Sequence, residues 1–420
     1  MRVSLAVIGS RGDVQPFLAL GAALRARGHD VVLATHADFR ALAGEAGLDF
    51  HAVPGSPRNY FSSPEVVESL RKGPSVLRLA RSTPKVAADA AAAGLAQLDA
   101  CFAPAFAGAD LIVTSVANRH SYLAAPPDVP WALVSWYPNT PTSVFPAMGA
   151  PALPLGGWYN RLTHHVSRAI EWRLARPIVN AYRARLGAAP LGLRVPFTAA
   201  ERDRPLFYLH SPAVLPAPAD WPATVHVCGY WFWDRAWSPS RELVDAVEAD
   251  PAPVVLSFGS LWPAVPEGSL DAVADAVRRC GRRLIVIDGP DEVPSGVIRV
   301  HDADYTWLFP KAAAVVHHGG FGTGAAALRA GVPQVVLPIF IDHPYWAKRM
   351  AALGVAPDPV PAAKLDPARL RAAIRRVLHD ERIRHRAAEI GRYVRADRGV
   401  EAACEELERW VGTGIPVRTG

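Results

Sequence analysis

The residues of this chain best suited to chemistry lie at 315–324, Val-Val-His-His-Gly-Gly-Phe-Gly-Thr-Gly, where a strand end, two imidazoles and a glycine-rich turn directly precede a helix. The stretch 312–317 reads as a buried parallel strand, and Gly322 to Ala330 as a short helix with Gly331 past its end. A ligand at such a turn meets unpaired backbone N–H groups and the positive end of a helix dipole, both of which favour an anion. Gly320 and Gly322 let phosphate oxygens approach with no Cβ in the way. With Thr323 adding a hydroxyl and His318 a ring N–H, the anion that suits the turn is a diphosphate. For the glycines alone, the plainer alternative is an ordinary strand-to-helix turn.

A candidate proton acceptor stands near the amino terminus. The first strand ends in Gly9-Ser10-Arg11-Gly12-Asp13, which brings a carboxylate to the carboxyl end of a sheet just before a helix expected to start at Val14. Asp13 is equally suited to capping that helix, and the two roles are compatible. A second glycine turn, Ser257-Phe258-Gly259-Ser260, can offer amides and a hydroxyl to a phosphate. Asp342 and His343 follow another strand and are expected to project toward the same anion site, where a carboxylate and an imidazole suit hydroxyl recognition; Asp342 as a helix cap is the alternative. Asp302-Ala303-Asp304 has the spacing of a metal-binding carboxylate pair, a pattern met often by chance. The aromatic residues Tyr60, Phe61 and Trp136, with Asn139 and Ser10, are candidates for lining a pocket for an apolar molecule; each aromatic is as readily local core.

These residues must be positioned by elements that the sequence spells out. The amino-terminal half alternates strand and helix, with strands at 2–8, 30–35, 48–53, 110–115 and 131–136, and irregular insertions at 54–74 and 137–157. A second alternation places strands at 254–258, 283–287, 297–300, 313–317 and 334–338. The expected class is α/β, two doubly wound Rossmann-like domains facing a central cleft, with ligands outside the carboxyl ends of the strands. Residues 1–212 form the first domain, 213–240 a linker rich in Pro and Trp, 241–398 the second domain, and 399–420 a terminal helix.

Half of the 420 residues are apolar and 20% are charged, as in a folded globular protein of two or three domains. No run of 18 apolar residues occurs, and the apolar stretch after Met1 stops at Arg11, so a cytoplasmic protein is expected. The four cysteines, at 101, 228, 280 and 404, form no C-x-x-C pair and indicate neither zinc nor a disulfide framework. The net charge of +6 comes with no nucleic-acid-binding signature. Much of the excess sits at 158–186, where six arginines face one acid; membrane contact is one reading, and a solvated basic face the favoured one.

Taken together, GSRGDVQP at 9–16, SFGS at 257–260, WLFP at 307–310, HHGGFGT at 317–323, AGVP at 330–333 and DHPYWAKR at 342–349 resemble the family 1 glycosyltransferases, nearest the bacterial antibiotic and sterol-type branch. The motifs span both halves in the right order. The resemblance implies the GT-B fold, an amino-terminal acceptor domain, a carboxyl-terminal nucleotide-sugar domain, and a last helix that crosses back. It implies that Asp13 is the general base, that His318, Gly320, Gly322 and Thr323 grip the diphosphate, and that Ser260 is their partner across the cleft; Phe321, Ser257 and Gly259 are expected beside them as donor-binding residues. Tyr305 and Trp307 fall near the donor's base, and Asp342 and His343 near the sugar. This chain has Tyr-Thr-Trp at 305–307 where relatives often read His-Asp-Trp, and Asp-His at 342–343 where an Asp-Gln pair is usual.

The activity so implied is inverting, metal-independent transfer of a hexose or deoxyhexose from a dTDP- or UDP-sugar to a hydroxyl of a lipophilic natural product, by a monomer or homodimer with no cofactor beyond the sugar nucleotide. A sterol or lipid UDP-glucosyltransferase, a nucleotide-sugar 2-epimerase and a non-catalytic activator of a partner transferase are the alternatives. Asp13 supplies the base because the first 28 residues contain no histidine.

Overall fold

The computed structural model describes residues 1–71, 101–118, 121, 126, 128–185, 187, 189–195, 203–339 and 342–412. The chain divides into two compact units, one of Met1–Ser56 with the described parts of Leu77–Trp233 and Arg398–Gly420, the other of Pro57–Val76, as far as it is described, and Asp234–Asp397.

The first unit is built on strands β1 (Arg2–Ala6), β2 (Asp30–His36), β3 (Asp49–Val53), β4 (Leu111–Ser115), β5 (Trp131–Ser135), β6 (Leu206–Tyr208) and β7 (Val225–Val227). They pair in the order β3-β2-β1-β4-β5-β6-β7, every pair parallel. A parallel sheet covered on both faces needs apolar side chains on both, so β4 and β5 are buried at every position. From β1 the sheet grows first toward β3 and then, from β4, in the opposite direction. Such a switch point opens a crevice between the carboxyl ends of β1 and β4. The helix Arg11–Ala26 covers the sheet through Val14, Phe17, Leu18, Gly21 and Leu24, spaced by three and four as one helical face requires.

The second unit carries β8 (Val254–Ser257), β9 (Leu284–Ile287), β10 (Val297–Val300), β11 (Ala314–His317) and β12 (Gln334–Val336), in the all-parallel order β10-β9-β8-β11-β12. Its switch point lies between β8 and β11, whose ends carry the two glycine turns. The helices Phe321–Ala330 and Glu381–Ala396 approach closely because Gly331 and Gly391 leave room: a Cβ on Gly391 would sit 2.8 Å from the Cα of Gly331.

Two expectations about organisation need correction. The stretch 213–240 is not a bare linker, because it holds β7, and the first unit runs on to Trp233. Trp221 and Tyr208 pack there, ring centroids 4.8 Å apart, so the aromatic density reflects core rather than connection. The insertion 54–74 is not wholly irregular: Pro57–Ser62 and Pro64–Arg71 are helices. Leu70 is buried in the second unit's core with Phe258 and Leu261, and the guanidinium of Arg71 donates to the carbonyl of Pro263 at 3.3 Å.

The Gly399–Gly412 helix belongs to the first unit. Glu408 takes a two-pronged contact from Arg27 at 2.9 and 2.7 Å and a third from His29 at 2.8 Å. Gly399 must be glycine, since a Cβ would fall 2.7 Å from the carbonyl oxygen of Gly229. All four cysteines are free thiols.

Candidate active site

In the first unit the site forms at the end of β1. The helix starts at Arg11, not Val14, because Ser10 in extended backbone caps it. Asp13 is therefore the third helical residue rather than the cap, and its carboxylate reaches back as the acidic half of a capping box. Oδ2 accepts the backbone N–H of Ser10 at 2.6 Å and the Ser10 hydroxyl at 2.9 Å. Gly9, at φ +141°, makes the room: a Cβ there would lie 2.3 Å from Oδ2. Among the described residues Oδ1 has no hydrogen-bond partner. Loss of hydration lifts the Asp13 carboxyl to about 6, against the opposing pull of the two Ser10 bonds. One oxygen is thus fixed by the cap and the other is left for a proton.

Across the same switch point, at the end of β4, lies a buried polar cluster that the sequence reading missed. The Asn118 amide donates to Thr114 Oγ1 at 2.8 Å and to the carbonyl of Ala6 at 3.4 Å, and it accepts from Ser115. The signal was a run of small polar residues after a buried strand, indistinguishable in sequence from a loop.

In the second unit, the turn after β11 separates the two imidazoles. His317 is structural: its Nδ1 accepts the N–H of Gly319 at 3.1 Å, so its protonated Nε2 faces Gln334 Oε1 at 2.9 Å. Burial holds it neutral, down to about 3. His318 takes the opposite tautomer. Its Nδ1 lies 3.4 Å from the carbonyl of Ser257, to which only an N–H can donate, and Nε2 is turned over Gly320. Burial lowers His318 to about 4, so the resting ring is neutral with a lone pair, not an N–H, at Nε2. The ring N–H expected to face the anion points at a backbone carbonyl instead.

Gly320 caps the ten-residue helix Phe321–Ala330, and the N–H of Gly324 returns to its carbonyl at 3.0 Å. The N–H groups of Gly322 and Thr323 precede the first helical hydrogen bonds, so they and the helix dipole face outward beside His318. Gly319, at φ +92°, lets the backbone pass over β12 and the next helix: a Cβ would meet His343 Cβ and Val336 Cγ1, each at 3.0 Å.

At the end of β8, Ser257 is fully buried, so it does not present its hydroxyl outward as expected. The hydroxyl pairs with Tyr305 OH at 2.8 Å and the carbonyl faces His318, which makes Ser257 and Tyr305 positioning residues. Gly259, at φ +52°, and the exposed Ser260 remain accessible at the turn. Tyr305 stacks on Phe309 at 4.4 Å; Trp307 has Trp237 at 5.7 Å and the Lys311 ammonium over its ring at 4.1 Å.

His343 also departs from expectation. It is the first residue of the helix His343–Ala352 and is almost wholly buried, its ring 4.8 Å from that of His318. It backs His318 rather than projecting outward. Asp342, the cap residue, is the partly exposed member of the pair.

The Asp-x-Asp carboxylates are engaged in structure. Asp302 receives Arg235 at 3.1 Å, and Asp304 caps the Tyr305–Leu308 helix through the N–H of Thr306 at 2.6 Å. Among the pocket candidates, Trp136 is buried, and Asn139 accepts the Tyr208 hydroxyl at 2.8 Å. Tyr60 and Phe61 lie on the Pro57–Ser62 helix of the second unit, not in the first domain; their side chains fall outside the described residues.

Two parallel sheets, each with a polar constellation at its switch point, define the doubly wound α/β class, in which ligands bind at such points, and comparison with known proteins narrows it. The signature of the glycosyltransferase family 28 N-terminal domain matches residues 3–118, and that of the erythromycin biosynthesis protein CIII-like C-terminal domain matches residues 286–406. The chain is 44% identical to O-mycaminosyltylonolide 6-deoxyallosyltransferase of Streptomyces fradiae over the full length of both. It is 32% identical to a sterol 3-beta-glucosyltransferase of Arabidopsis thaliana, over 99% of this chain and 69% of that one. Among solved structures, glycosyltransferase VinC in complex with dTDP superposes with a TM-score of 0.66 at 21% identity, over 98% of this chain and all of that one. Spinosyn rhamnosyltransferase SpnG complexed with spinosyn aglycone gives 0.63 at 18%, over 97% and 100%. The chain belongs to the GT-B glycosyltransferases of the erythromycin CIII-like, family 28 type, and is a hexosyltransferase.

Proposed function

We propose that this enzyme transfers a deoxyhexose or hexose from a dTDP- or UDP-sugar to a hydroxyl of a lipophilic natural product, with inversion and without a metal. The observation that carries the substrate class is the 44% identity, over the full length of both chains, with a 6-deoxyallosyltransferase; the dTDP complex of VinC supports a dTDP-linked deoxysugar as donor. The sterol glucosyltransferase relatives support a UDP-sugar and a sterol-like acceptor as the second reading.

The residues support roles for each half of the reaction. An acceptor hydroxyl is a weak nucleophile near neutral pH, and a carboxyl lifted to about 6 is better matched to removing its proton than an ordinary aspartate. Asp13 Oδ1 takes that proton as the oxygen attacks the anomeric carbon and the bond to the diphosphate breaks. Ser10 orients the carboxylate through Oδ2. Charge then develops on the leaving diphosphate, where the N–H groups of Gly322 and Thr323, the Thr323 hydroxyl and Ser260 offer donors already in place. To donate through Nε2, His318 must take up a proton, and an arriving anion favours that. Asp342 is the residue for sugar hydroxyls. Direct attack opposite the leaving group inverts the anomeric centre, and one carboxylate suffices because a diphosphate leaves without an acid.

The engagement of Asp302 with Arg235 and of Asp304 with Thr306 supports metal independence. The test is a panel of dTDP- and UDP-sugars with macrolide and sterol acceptors, read by mass spectrometry. Turnover of a dTDP-deoxysugar by the purified chain alone is expected. Turnover only with UDP-glucose and a sterol would select the second reading, and product without acceptor would indicate an epimerase.

A further inference from the structure

Exposed large apolar side chains are concentrated in one place. Eight of the ten among the described residues lie between 144 and 174. Five of these, Trp158, Leu162, Val166, Ile170 and Leu174, recur every fourth residue on the long helix Gly157–Arg185. The same helix buries His164, Trp172, Val179 and Tyr182, so the exposed stripe lies on the face turned away from the core. It runs about 24 Å along the helix. The other three stand on the preceding loop, which is pinned beside the stripe: Asn160 donates to the carbonyl of Ser143 at 2.9 Å, the N–H of Ala147 donates to Thr163 at 2.8 Å, and the Tyr159 hydroxyl donates to the carbonyl of Pro151 at 2.8 Å.

The surroundings of this patch are basic. The helix carries six arginines and one acid, Glu171, and residues 137–156 carry no charge. Arg161 is met by Asp220 at 3.0 Å, while Arg173 stands exposed among the stripe residues. A solvated basic face accounts for the arginines but not for a continuous apolar stripe, which monomeric proteins keep small. A second copy packed by two-fold symmetry would bring the arginines of both helices together. An anionic, apolar-cored surface satisfies both features at once.

We propose that this face docks the enzyme on anionic phospholipid bilayers, the stripe entering the boundary between headgroups and acyl chains and the arginines lying at phosphate level. The contact is peripheral, since no helix among the described residues is long and apolar enough to cross a membrane.

The test is flotation of the full-length protein with vesicles of phosphatidylcholine alone or with phosphatidylglycerol added. Binding to the anionic vesicles, weakened by salt, is expected. Leu162→Asp with Ile170→Asp should reduce partitioning at least about tenfold, and Arg173→Glu about fivefold. Tyr393→Asp, at an exposed aromatic of the second unit, should leave it unchanged, and thermal melts report whether each variant is folded. Absence of wild-type binding to anionic vesicles, or binding indifferent to the stripe variants, overturns the proposal. So does a dimer in sedimentation that Leu162→Asp dissolves while vesicles capture nothing, since that assigns the face to a second copy.

Discussion

A Cβ at position 320 would fall 2.2 Å from Nε2 of His318, so the glycine at the helix cap and the imidazole over it are one structural unit. The contact fixes where His318 aims. It also explains why the turn tolerates no side chain at that point, whatever the ligand.

Gly320→Ala should therefore displace the His318 ring and weaken nucleoside diphosphate binding by about tenfold or more, with a loss of stability of about 1–3 kcal/mol from the overpacked turn. Titration calorimetry with dTDP and UDP measures this directly. His318→Ala should match it, and a double variant no worse than either single one would show that both act through the ring.

Proton uptake should accompany nucleotide binding. His318 is neutral at rest, with burial holding it at about 4, and must gain a proton at Nε2 to donate to a phosphate. Binding enthalpies in buffers of different ionisation heat should give a positive proton number near pH 6–7, and affinity should fall as pH rises. A proton number of zero that His318→Ala leaves unchanged would remove this role.

Asp13→Asn should lower kcat by about a thousandfold or more while leaving the dissociation constant of the donor nucleotide within about twofold. Ser10→Ala should be milder and more telling. Removing a hydrogen bond to the ionised form raises the carboxyl further, so the acidic limb of the kcat/KM profile should move upward from about 6. An unmoved limb would show that another group sets it.

The same carboxyl makes a stability prediction with a definite sign. Because folding raises Asp13 from 3.8 to about 6, its contribution is fully present below about 3.8 and is lost as pH rises through 6. Asp13→Asn should consequently stabilise the protein at pH 7, by about 1 kcal/mol once its partial exposure to solvent is allowed for. The histidines act oppositely. His317 and His318, lowered to about 3 and about 4, contribute stability present above 6.5 and lost as pH falls through those values. Melting curves of wild type and Asp13→Asn between pH 4 and 8 would show both trends.

Chelator should leave transfer intact, and Asp302→Asn should retain most activity, because Asp302 is engaged with Arg235 on the surface. Loss of turnover with EDTA, restored by a divalent ion, would reassign the Asp-x-Asp pair.

The sequence by itself determined the two alternations of strand and helix, since short near-continuous apolar runs between turn signals, alternating with helical periods, read as parallel strands covered on both faces. It also located the glycine turns and Asp13, because their chemistry depends on residue type beside a strand end. Tertiary structure decided everything that depends on burial and on which way a ring faces. Ser257 and His343 looked like ligand contacts, and the structure buries both beside His318, because strand pleat and helix packing, which residue spacing alone does not carry, set which way each side chain turns. Asp13 looked like a cap or a base; Ser10 takes the cap position, and Asp13 closes the capping box through Oδ2 from the third helical position, which leaves Oδ1 open. The stretch 213–240 hid a strand because three residues of Val-His-Val carry too weak a period to read, and only the edge of β6 selects them.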